Sequence, residues 1–426
     1  MSKYKNIIYP SFLLIVVFIV FYPILGNDFL YQWDDQWVVI NSYTEGGFNL
    51  KNLWAILSEY YHGQYAPLNE LLYLILHSLF GYNSFFFHFA SLLIHAINSI
   101  LVYYCIILLL EMNAKVNPEY HKSIAILTAL IFAIHPFNVE SVAWMSASKI
   151  IVYAFYYLIA TYFFMLYIQK NKIKDLIITG VFFIFSFLGK EQAVTFPIWM
   201  ILLYCISGYS IKDKKIWLTT LPFIGLSLLG GVITILSQEH FGIGVISTES
   251  YHLWQRIVYA CYSFYEYLIK CLFPIKLSFL YPFPAAIGQP LPMWLLVYPF
   301  LIIIPIIGFY KYFLSNKALT FCLIFFFIHI AIALHIIPLS RYAIVADRYA
   351  YIASIGVCFY LSYLSIHLIK KFDTKGKTIS IIIFCSYILF FGISSNSRCR
   401  VWHNSDTLKK EINELLELPS NTDIDL

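Results

Sequence analysis

The chain repeats apolar stretches of about 20 residues, and this repetition constrains its fold more than any other feature. Hydrophobic residues make up 60% of the sequence and charged residues 12%, and the charged residues avoid the middle of the stretches. Inside a bilayer the backbone must pair its polar groups internally, so such stretches form helices. The sequence therefore predicts an all-α polytopic membrane protein, with about 11 transmembrane helices. They are expected over residues 7–26, 84–110, 122–136, 150–169, 175–189, 193–209, 216–237, 291–313, 318–338, 350–369 and 377–394.

Charged residues are unevenly distributed between the loops that separate these stretches. Lys3 and Lys5 precede the first stretch, which lacks a cleavage site, so we interpret it as a retained anchor with a cytoplasmic N-terminus. The loops then assigned to the cytoplasm have lysine as their only basic residue, in line with the positive-inside rule. The C-terminus would lie outside, and the composition favours a bacterial inner membrane. All five arginines fall on the outer side, where their planar guanidinium groups suit phosphate: Arg256, Arg341, Arg348, Arg398 and Arg400.

The first outer loop, residues 27–83, is too long for a simple connection and has helical patterns of its own. Asn49 can cap one helix, and Pro67 can open a second that is too short to span the bilayer. Both predict amphipathic helices lying on the outer membrane surface. The outer loop at residues 238–290 contains an aromatic segment, which predicts a re-entrant or interfacial helix.

Two adjacent carboxylates, Asp34 and Asp35, follow the first apolar stretch and stand between Trp33 and Trp37. They could belong to a solvated loop or cap a turn. Alternatively, one could act as a general base on a hydroxyl group while the other binds a ligand or a metal ion, because adjacent like charges raise one pKa. The sequence leaves open whether a divalent cation takes part; Asp34 and Asp35 are the side chains it would use.

Three more outer loops place charged side chains at helix ends. Helix capping and a lysine that extends to the interface would explain most of them without a function. An arginine pair at the membrane rim could instead clamp a phosphate head group. The residues are His135 and Glu140 in the second outer loop, Lys190 and Glu191 in the third, and Arg341 and Arg348 in the fifth.

Several motifs occur together in the order typical of one family. The Trp33-Asp34-Asp35 loop is followed by HPFNVESVAW at residues 135–144, GKEQAVTFP at 189–197 and DRYAYIASIG at 347–356. From about residue 27 to about residue 405 the chain resembles the transmembrane-and-TPR protein O-mannosyltransferase family and its bacterial relatives. These are integral-membrane glycosyltransferases of the GT-C class.

The resemblance implies a sugar donor linked to polyprenyl phosphate and a hydroxyl acceptor on a protein, an envelope glycan or a lipid. It implies transfer on the outer side with inversion at the sugar carbon. The general base would be Asp34 or Asp35, with Asp34 preferred, and Arg341 and Arg348 would stabilise the departing phosphate. The cavity beneath the first loop would be lined by His135, Glu140, Lys190 and Glu191.

Departures from the family pattern keep a second interpretation open. Relatives often have cations where this chain has Ala66 and Ser148, and the TPR array is absent. Residues 1–394 would form the transmembrane domain, and residues 395–426 a short outer tail resembling the start of a single TPR. The alternative to an enzyme is a catalytically inactive membrane scaffold or binding protein of the same fold.

Overall fold

The computed structural model of the protein describes residues 2–112, 116–240, 251–336 and 343–416, with side chains from residue 7 onward. This part is almost entirely helical, which confirms the predicted fold class. The helices are α1 Ser2–Phe21, α2 Asp35–Val38, α3 Ser42–Glu45, α4 Leu50–Ser58, α5 Pro67–Phe80, α6 Ser84–Glu111, α7 His121–Ala133, α8 Val139–Ala143, α9 Ser148–Lys170, α10 Ile173–Gly189, α11 Phe196–Ile206, α12 Lys214–His240, α13 Leu253–Leu272, α14 Val297–Gly308, α15 Tyr310–Ser315, α16 Lys317–Ile330, α17 Ser354–Lys371, α18 Thr374–Val401 and α19 Ser405–Leu415.

Short 3-10 turns and one small β-ribbon complete the described structure. The ribbon pairs β1 Tyr281–Pro282 with β2 Ala343–Val345 in antiparallel fashion, and Tyr281 lies opposite Val345. The 3-10 turns cover Tyr22–Gly26, Pro118–Tyr120, Pro136–Asn138, Met145–Ala147, Glu191–Thr195, Met293–Leu296, Ala331–Ala333 and Asp347–Ala350.

Five helical segments of the described chain are long and apolar enough to cross a membrane. A sixth would be the pair Pro118–Ala133 and Pro136–Ala143, which bends by 50°. The other predicted spans fall on shorter helices, and the stretch at 291–313 is divided between α14 and α15. The polytopic architecture is therefore confirmed, and the count of 11 spans stays a prediction. The five are Ile7–Gly26, Ser84–Glu111, Met145–Lys170, Lys214–His240 and Thr374–Val401.

Helix α9 lies at the centre of the bundle, and most of its side chains are buried, including Tyr157 and Phe164. Several buried polar groups there are hydrogen-bonded. A ring nitrogen of His95 lies 2.7 Å from the Tyr351 hydroxyl, and the other lies 3.0 Å from the Ala133 carbonyl. Because these partners come from α6, α7 and the segment before α17, the network fixes how the three pack.

The first loop folds as its sequence predicts. The Asn49 side chain accepts a hydrogen bond from the Asn52 N–H and caps α4. Pro67 begins α5, where a missing backbone N–H has no cost. On α4, Leu50 and Trp54 are 87% and 71% exposed, so this helix presents an apolar face outward.

The C-terminal segment is part of the bundle. The boundary placed between residues 394 and 395 falls inside α18, and α19 buries Leu408 and Ile412 completely in the main core. The spacing of these two side chains, one helical turn apart, puts both on the same face. The described residues 395–416 therefore pack against the bundle, and the domain boundary at residue 394 with a tail resembling the start of a TPR stays a prediction.

Candidate active site

Asp35 is the most constrained carboxylate of the first loop. It is 1% exposed, and its oxygens accept hydrogen bonds from the Leu30 N–H at 2.9 Å, from the Ser146 N–H at 2.8 Å and from the Ser146 hydroxyl. These bonds tie the first loop to the turn before α9. Burial raises the pKa of Asp35 to about 6, against the effect of the hydrogen bonds. The charge of Asp34 is the smallest contribution, so burial rather than adjacency is the main cause.

Asp34 has a different environment, although it is the next residue. It is partly buried, and its side chain makes no capping hydrogen bond to α2, the turn that it begins. Its charge acts on Lys149, as do the charges of Lys190 and Glu191. Asp34 therefore lies within electrostatic range of a charged side chain on α9.

Glu140 and Arg348 form a buried ion pair. Glu140 is completely buried on α8, and it accepts hydrogen bonds from the Arg348 guanidinium and from the Arg348 backbone N–H, the latter at 3.1 Å. The guanidinium carbon lies 5.2 Å from the ring centroid of Trp144 and 5.0 Å from that of Tyr349. The Arg348 side chain remains 21% exposed. The pairing orients the guanidinium and neutralises much of its charge.

Lys190 and Glu191 connect the third outer loop to this pair. Their side chains form an ion pair at 3.2 Å, and the Lys190 ammonium lies 5.7 Å from the Tyr349 ring centroid. The two ion pairs, Glu140–Arg348 and Lys190–Glu191, therefore lie next to the same Tyr349 ring. The fifth predicted site residue, Asp34, acts electrostatically on Lys149. Arg341 lies outside the described residues.

His135 is engaged in hydrogen bonds at both ring nitrogens. It is completely buried; Nδ1 accepts a hydrogen bond from the Phe137 N–H at 3.1 Å, and Nε2 donates to the Cys271 carbonyl at 2.9 Å. Both ring nitrogens are thus used in capping a turn and in fixing α13. That His135 lines a cavity beneath the first loop stays a prediction.

An aromatic cluster holds the surrounding segments together. The Phe279 ring centroid lies 4.9 Å from that of Trp33, 5.2 Å from that of Trp144 and 6.0 Å from that of Trp402. The indole N–H groups of all three tryptophans are buried without a hydrogen-bond partner. Packing of these rings, together with a hydrogen bond from the Asp28 N–H to the His403 carbonyl at 2.8 Å, therefore joins the first loop, α8 and the C-terminal segment beside Asp35 and Arg348.

The sequence argument missed a small pocket within the first loop. Glu59, Glu70 and Lys149 are its charged lining residues. Glu70 accepts a hydrogen bond from the Asn41 amide at 3.0 Å, and the Lys149 ammonium donates to the Gln64 amide oxygen. A signal for Glu70 was present: it lies one turn before the buried Tyr73 on α5, hence on the helix face turned inward.

The two departures from the family pattern border this pocket. Ala66 lines it, and the Ser148 hydroxyl donates to the Asn69 amide oxygen at 2.9 Å and lies 2.8 Å from the Tyr73 hydroxyl. Ser148 is 1% exposed. A buried polar network therefore occupies the position where relatives carry a cation, and the neighbouring Lys149 supplies a positive charge instead.

In the part of the chain that the structure describes, no group of three His, Cys, Asp or Glu side chains is arranged to hold a metal ion. Both oxygens of Asp35 are already engaged by Leu30 and Ser146. The adjacent carboxylates thus do not form a ready divalent-cation site with other side chains of these types.

Comparison with known proteins gives one finding, over α5 to α12. The family model described as dolichyl-phosphate-mannose-protein mannosyltransferase matches residues 64–233, which include Glu140, Lys149, Lys190 and Glu191. No curated protein matches the chain significantly. Over residues 64–233 the chain is therefore similar to the dolichyl-phosphate-mannose-protein mannosyltransferases, and this match confirms the resemblance to membrane glycosyltransferases of the GT-C class.

Proposed function

We propose that the protein transfers a sugar from a polyprenyl-phosphate-linked donor to a hydroxyl acceptor on the outer face of the membrane, with inversion at the sugar carbon. The observation that supports this most is the position of Asp34, whose side chain makes no capping bond and shares its surroundings with Lys149, Lys190 and Glu191. A base beside cations is what this reaction requires.

The transfer needs a base on one side of the sugar and positive charge on the other. The acceptor oxygen attacks the anomeric carbon, its proton passes to the Asp34 carboxylate, and the bond from that carbon to the phosphate oxygen breaks. The polyprenyl phosphate leaves with one additional negative charge. Lys190 and Arg348 would stabilise that charge, since electrostatic help aimed at developing charge is usually the largest contribution.

Asp35 is assigned to holding the site together. Three donors from Leu30 and Ser146 fix its carboxylate, so it cannot approach an acceptor without losing them. Asp34 directly precedes Asp35 in the chain, so the hydrogen bonds that fix Asp35 also position Asp34. This is why we prefer Asp34 as the base.

The alternative function is an inactive scaffold of the same fold, and one observation favours it. Glu140 neutralises much of the charge of Arg348, and the positions of Ala66 and Ser148 carry no cation. An inactive protein would bind no lipid-linked sugar.

The test is sugar release and transfer from a panel of radiolabelled polyprenyl-phosphate sugars, with purified wild type, Asp34→Asn and Asp35→Asn. We expect Asp34→Asn to reduce turnover by about 10²-fold or more while donor binding persists, because a general base contributes about 10²- to 10⁴-fold. Asp35→Asn should also lower thermal stability. Wild-type protein that neither binds nor consumes any donor would support the scaffold.

A further inference from the structure

Tyr349 lies next to two cations that the proposed transfer step uses, and that step gives Tyr349 itself no role. The Arg348 guanidinium carbon lies 5.0 Å from the centroid of its ring, and the Lys190 ammonium lies 5.7 Å from the same centroid. A cation within about 6 Å of a ring centroid is attracted by the negative face of the ring. One half-buried side chain therefore contacts both cations.

The Arg348 guanidinium is fixed by further contacts besides this ring. Glu140 accepts hydrogen bonds from the guanidinium and from the Arg348 backbone N–H, and the Trp144 ring centroid lies 5.2 Å from the guanidinium carbon. Trp144 is 4% exposed, so its close packing keeps it from moving aside. The Arg348 side chain nevertheless remains 21% exposed. The guanidinium is thus held in one orientation and can still be reached by a ligand.

Lys190 depends more strongly on the ring. The ammonium group of a lysine ends a flexible four-carbon stem and has no fixed orientation of its own. Its ion pair at 3.2 Å is with the adjacent residue Glu191, whose side chain is 30% exposed and therefore screened by water. The positive charges of Lys190 and Lys149 also oppose each other. The attraction of the Tyr349 ring therefore counteracts a repulsion that would move the Lys190 ammonium away from Lys149 and the site.

A phosphate group is the ligand that this pair of cations favours. An arginine binds phosphate through its planar fork, and a lysine binds it as a point charge. Because Lys190 and Arg348 contact the same ring, one anion can attract both. Tyr349 is also within electrostatic range of Lys149, so a third cation adds to the positive potential around the ring.

We propose that Tyr349 is a positioning residue, whose ring holds Lys190 and Arg348 at the spacing at which both bind the phosphate of a lipid-linked sugar donor. The ring acts through the two cations. That the phosphate belongs to a sugar donor rests on the proposed function. The dependence of phosphate binding on the ring does not, and the two are tested separately.

The binding test compares farnesyl phosphate with farnesol, which has the same chain and no phosphate, by calorimetry on the purified full chain in detergent. We expect the wild type to bind the phosphate more tightly. Tyr349→Leu should reduce this preference about 10-fold, because two cation–ring contacts are lost, and Tyr349→Phe, which keeps the ring, should retain it. The matched control is Tyr209→Leu. Tyr209 is also half-buried, and its ring centroid lies 5.3 Å from the Lys215 ammonium in the turn between α11 and α12.

Four results would overturn the positioning role. They are no phosphate preference in the wild type, an unchanged preference in Tyr349→Leu, an equal loss in Tyr349→Phe or Tyr209→Leu, and an equal weakening of farnesyl phosphate and farnesol. If Tyr349→Leu folds poorly, Tyr349→Met repeats the measurement, because a flexible methionine adapts to the space that the ring leaves.

A double-mutant cycle with Lys190→Met tests whether the ring acts through the cation. Residues that act through one another have non-additive effects. We expect Lys190→Met to lower the phosphate preference, and Tyr349→Leu to lower it less in the Lys190→Met background than in the wild type. Strictly additive effects would contradict the proposal.

Turnover of the donor panel separates this proposal from the proposed function. Where turnover occurs, Tyr349→Leu should lower kcat/KM about 10-fold, and Asp34→Asn should lower turnover but keep the preference for farnesyl phosphate. Turnover that Tyr349→Leu leaves unchanged overturns the positioning role and leaves the transferase intact. A phosphate preference that depends on Tyr349, without consumption of any donor, supports the positioning role and counts against the transferase.

Discussion

The first loop contains two carboxyl groups with a raised pKa, the half-buried Glu70 and the buried Asp35. Burial raises the pKa of Glu70 from 4.5 to about 7, and that of Asp35 to about 6. Such a group binds more protons in the folded than in the unfolded protein. Its stabilising contribution is therefore present below pH 4.5 and is lost as the pH rises through the folded pKa.

Glu70→Gln should remove this pH dependence at one position. Glutamine keeps the oxygen that accepts from Asn41 and carries no charge. Between pH 5 and pH 8 we expect the free energy of unfolding of the wild type to fall relative to Glu70→Gln by on the order of 2 kcal/mol. Thermal and denaturant unfolding in detergent at a series of pH values measure it. Asp35 is present in both proteins, so its contribution cancels in the comparison. Parallel curves of unfolding free energy against pH would mean that Glu70 is ionised in the folded protein.

The sequence suggests several candidate site residues but not their pairing. Glu140 and Arg348 were predicted as a cavity residue and a phosphate ligand, each from its own motif. They lie 208 positions apart in the chain, and only the packing of α8 against the turn before α17 brings them together. The helical spacing of α5 could have placed Glu70 on the inward face, but its contacts with Asn41 and Lys149 could not be predicted, because no local pattern connects these residues.

Helix α19 is held by a buried arginine as well as by its apolar face. Arg398 is 7% exposed; its guanidinium donates to the Leu277 carbonyl at 2.7 Å and pairs with Glu411 at 3.2 Å and with Asp347 at 3.5 Å. It thereby joins α18, α19 and the turn that carries Arg348. The sequence predicted a tail resembling the start of a TPR, but not this docking, because Arg398 and Asp347 lie 51 positions apart in the chain and belong to different elements.

Arg398→Met should destabilise the protein by about 3–5 kcal/mol, because it leaves the completely buried Asp347 without its cationic partner. Arg400→Met is the matched control, since Arg400 is exposed and contacts the Tyr22 hydroxyl at 3.4 Å. We expect it to change stability by about 0.5 kcal/mol or less. Thermal unfolding of both variants in lipid nanodiscs compares them. Equal melting temperatures would show that α19 is held by Leu408 and Ile412 alone.

At the scale of the whole molecule, the two ends of the described structure carry different charged groups. One end collects the lysine-rich turns: Lys370 lies over the Tyr120 ring, and Lys215 lies 5.5 Å from the Tyr167 ring centroid. The other end holds the first loop with the Glu140–Arg348 and Asp347–Arg398 pairs. The periodicity and charge of the sequence predicted this division. They could not predict whether four shorter helices, α10, α11, α14 and α16, cross the whole membrane, because the hydropathy of a helix does not give its depth in the bilayer.

Labelling of single cysteines tests both the orientation and the number of crossings. Cys205, Cys261 and Cys385, which are at least partly exposed, are first replaced by serine so that the buried cysteines alone remain as background. A cysteine is then introduced at one of four exposed positions along the chain: Glu45, Lys212, Gln289 or Asp373.

With 11 crossings and the lysine-rich end in the cytoplasm, the four positions should alternate. A membrane-impermeant maleimide added to right-side-out spheroplasts should label Glu45→Cys and Gln289→Cys at once. It should label Lys212→Cys and Asp373→Cys only after permeabilisation. The inverse pattern would place the first loop in the cytoplasm and remove the basis for transfer on the outer face. Immediate labelling of Asp373→Cys together with Gln289→Cys would mean that one of the shorter helices between them does not cross, because an odd number of crossings must separate the two faces.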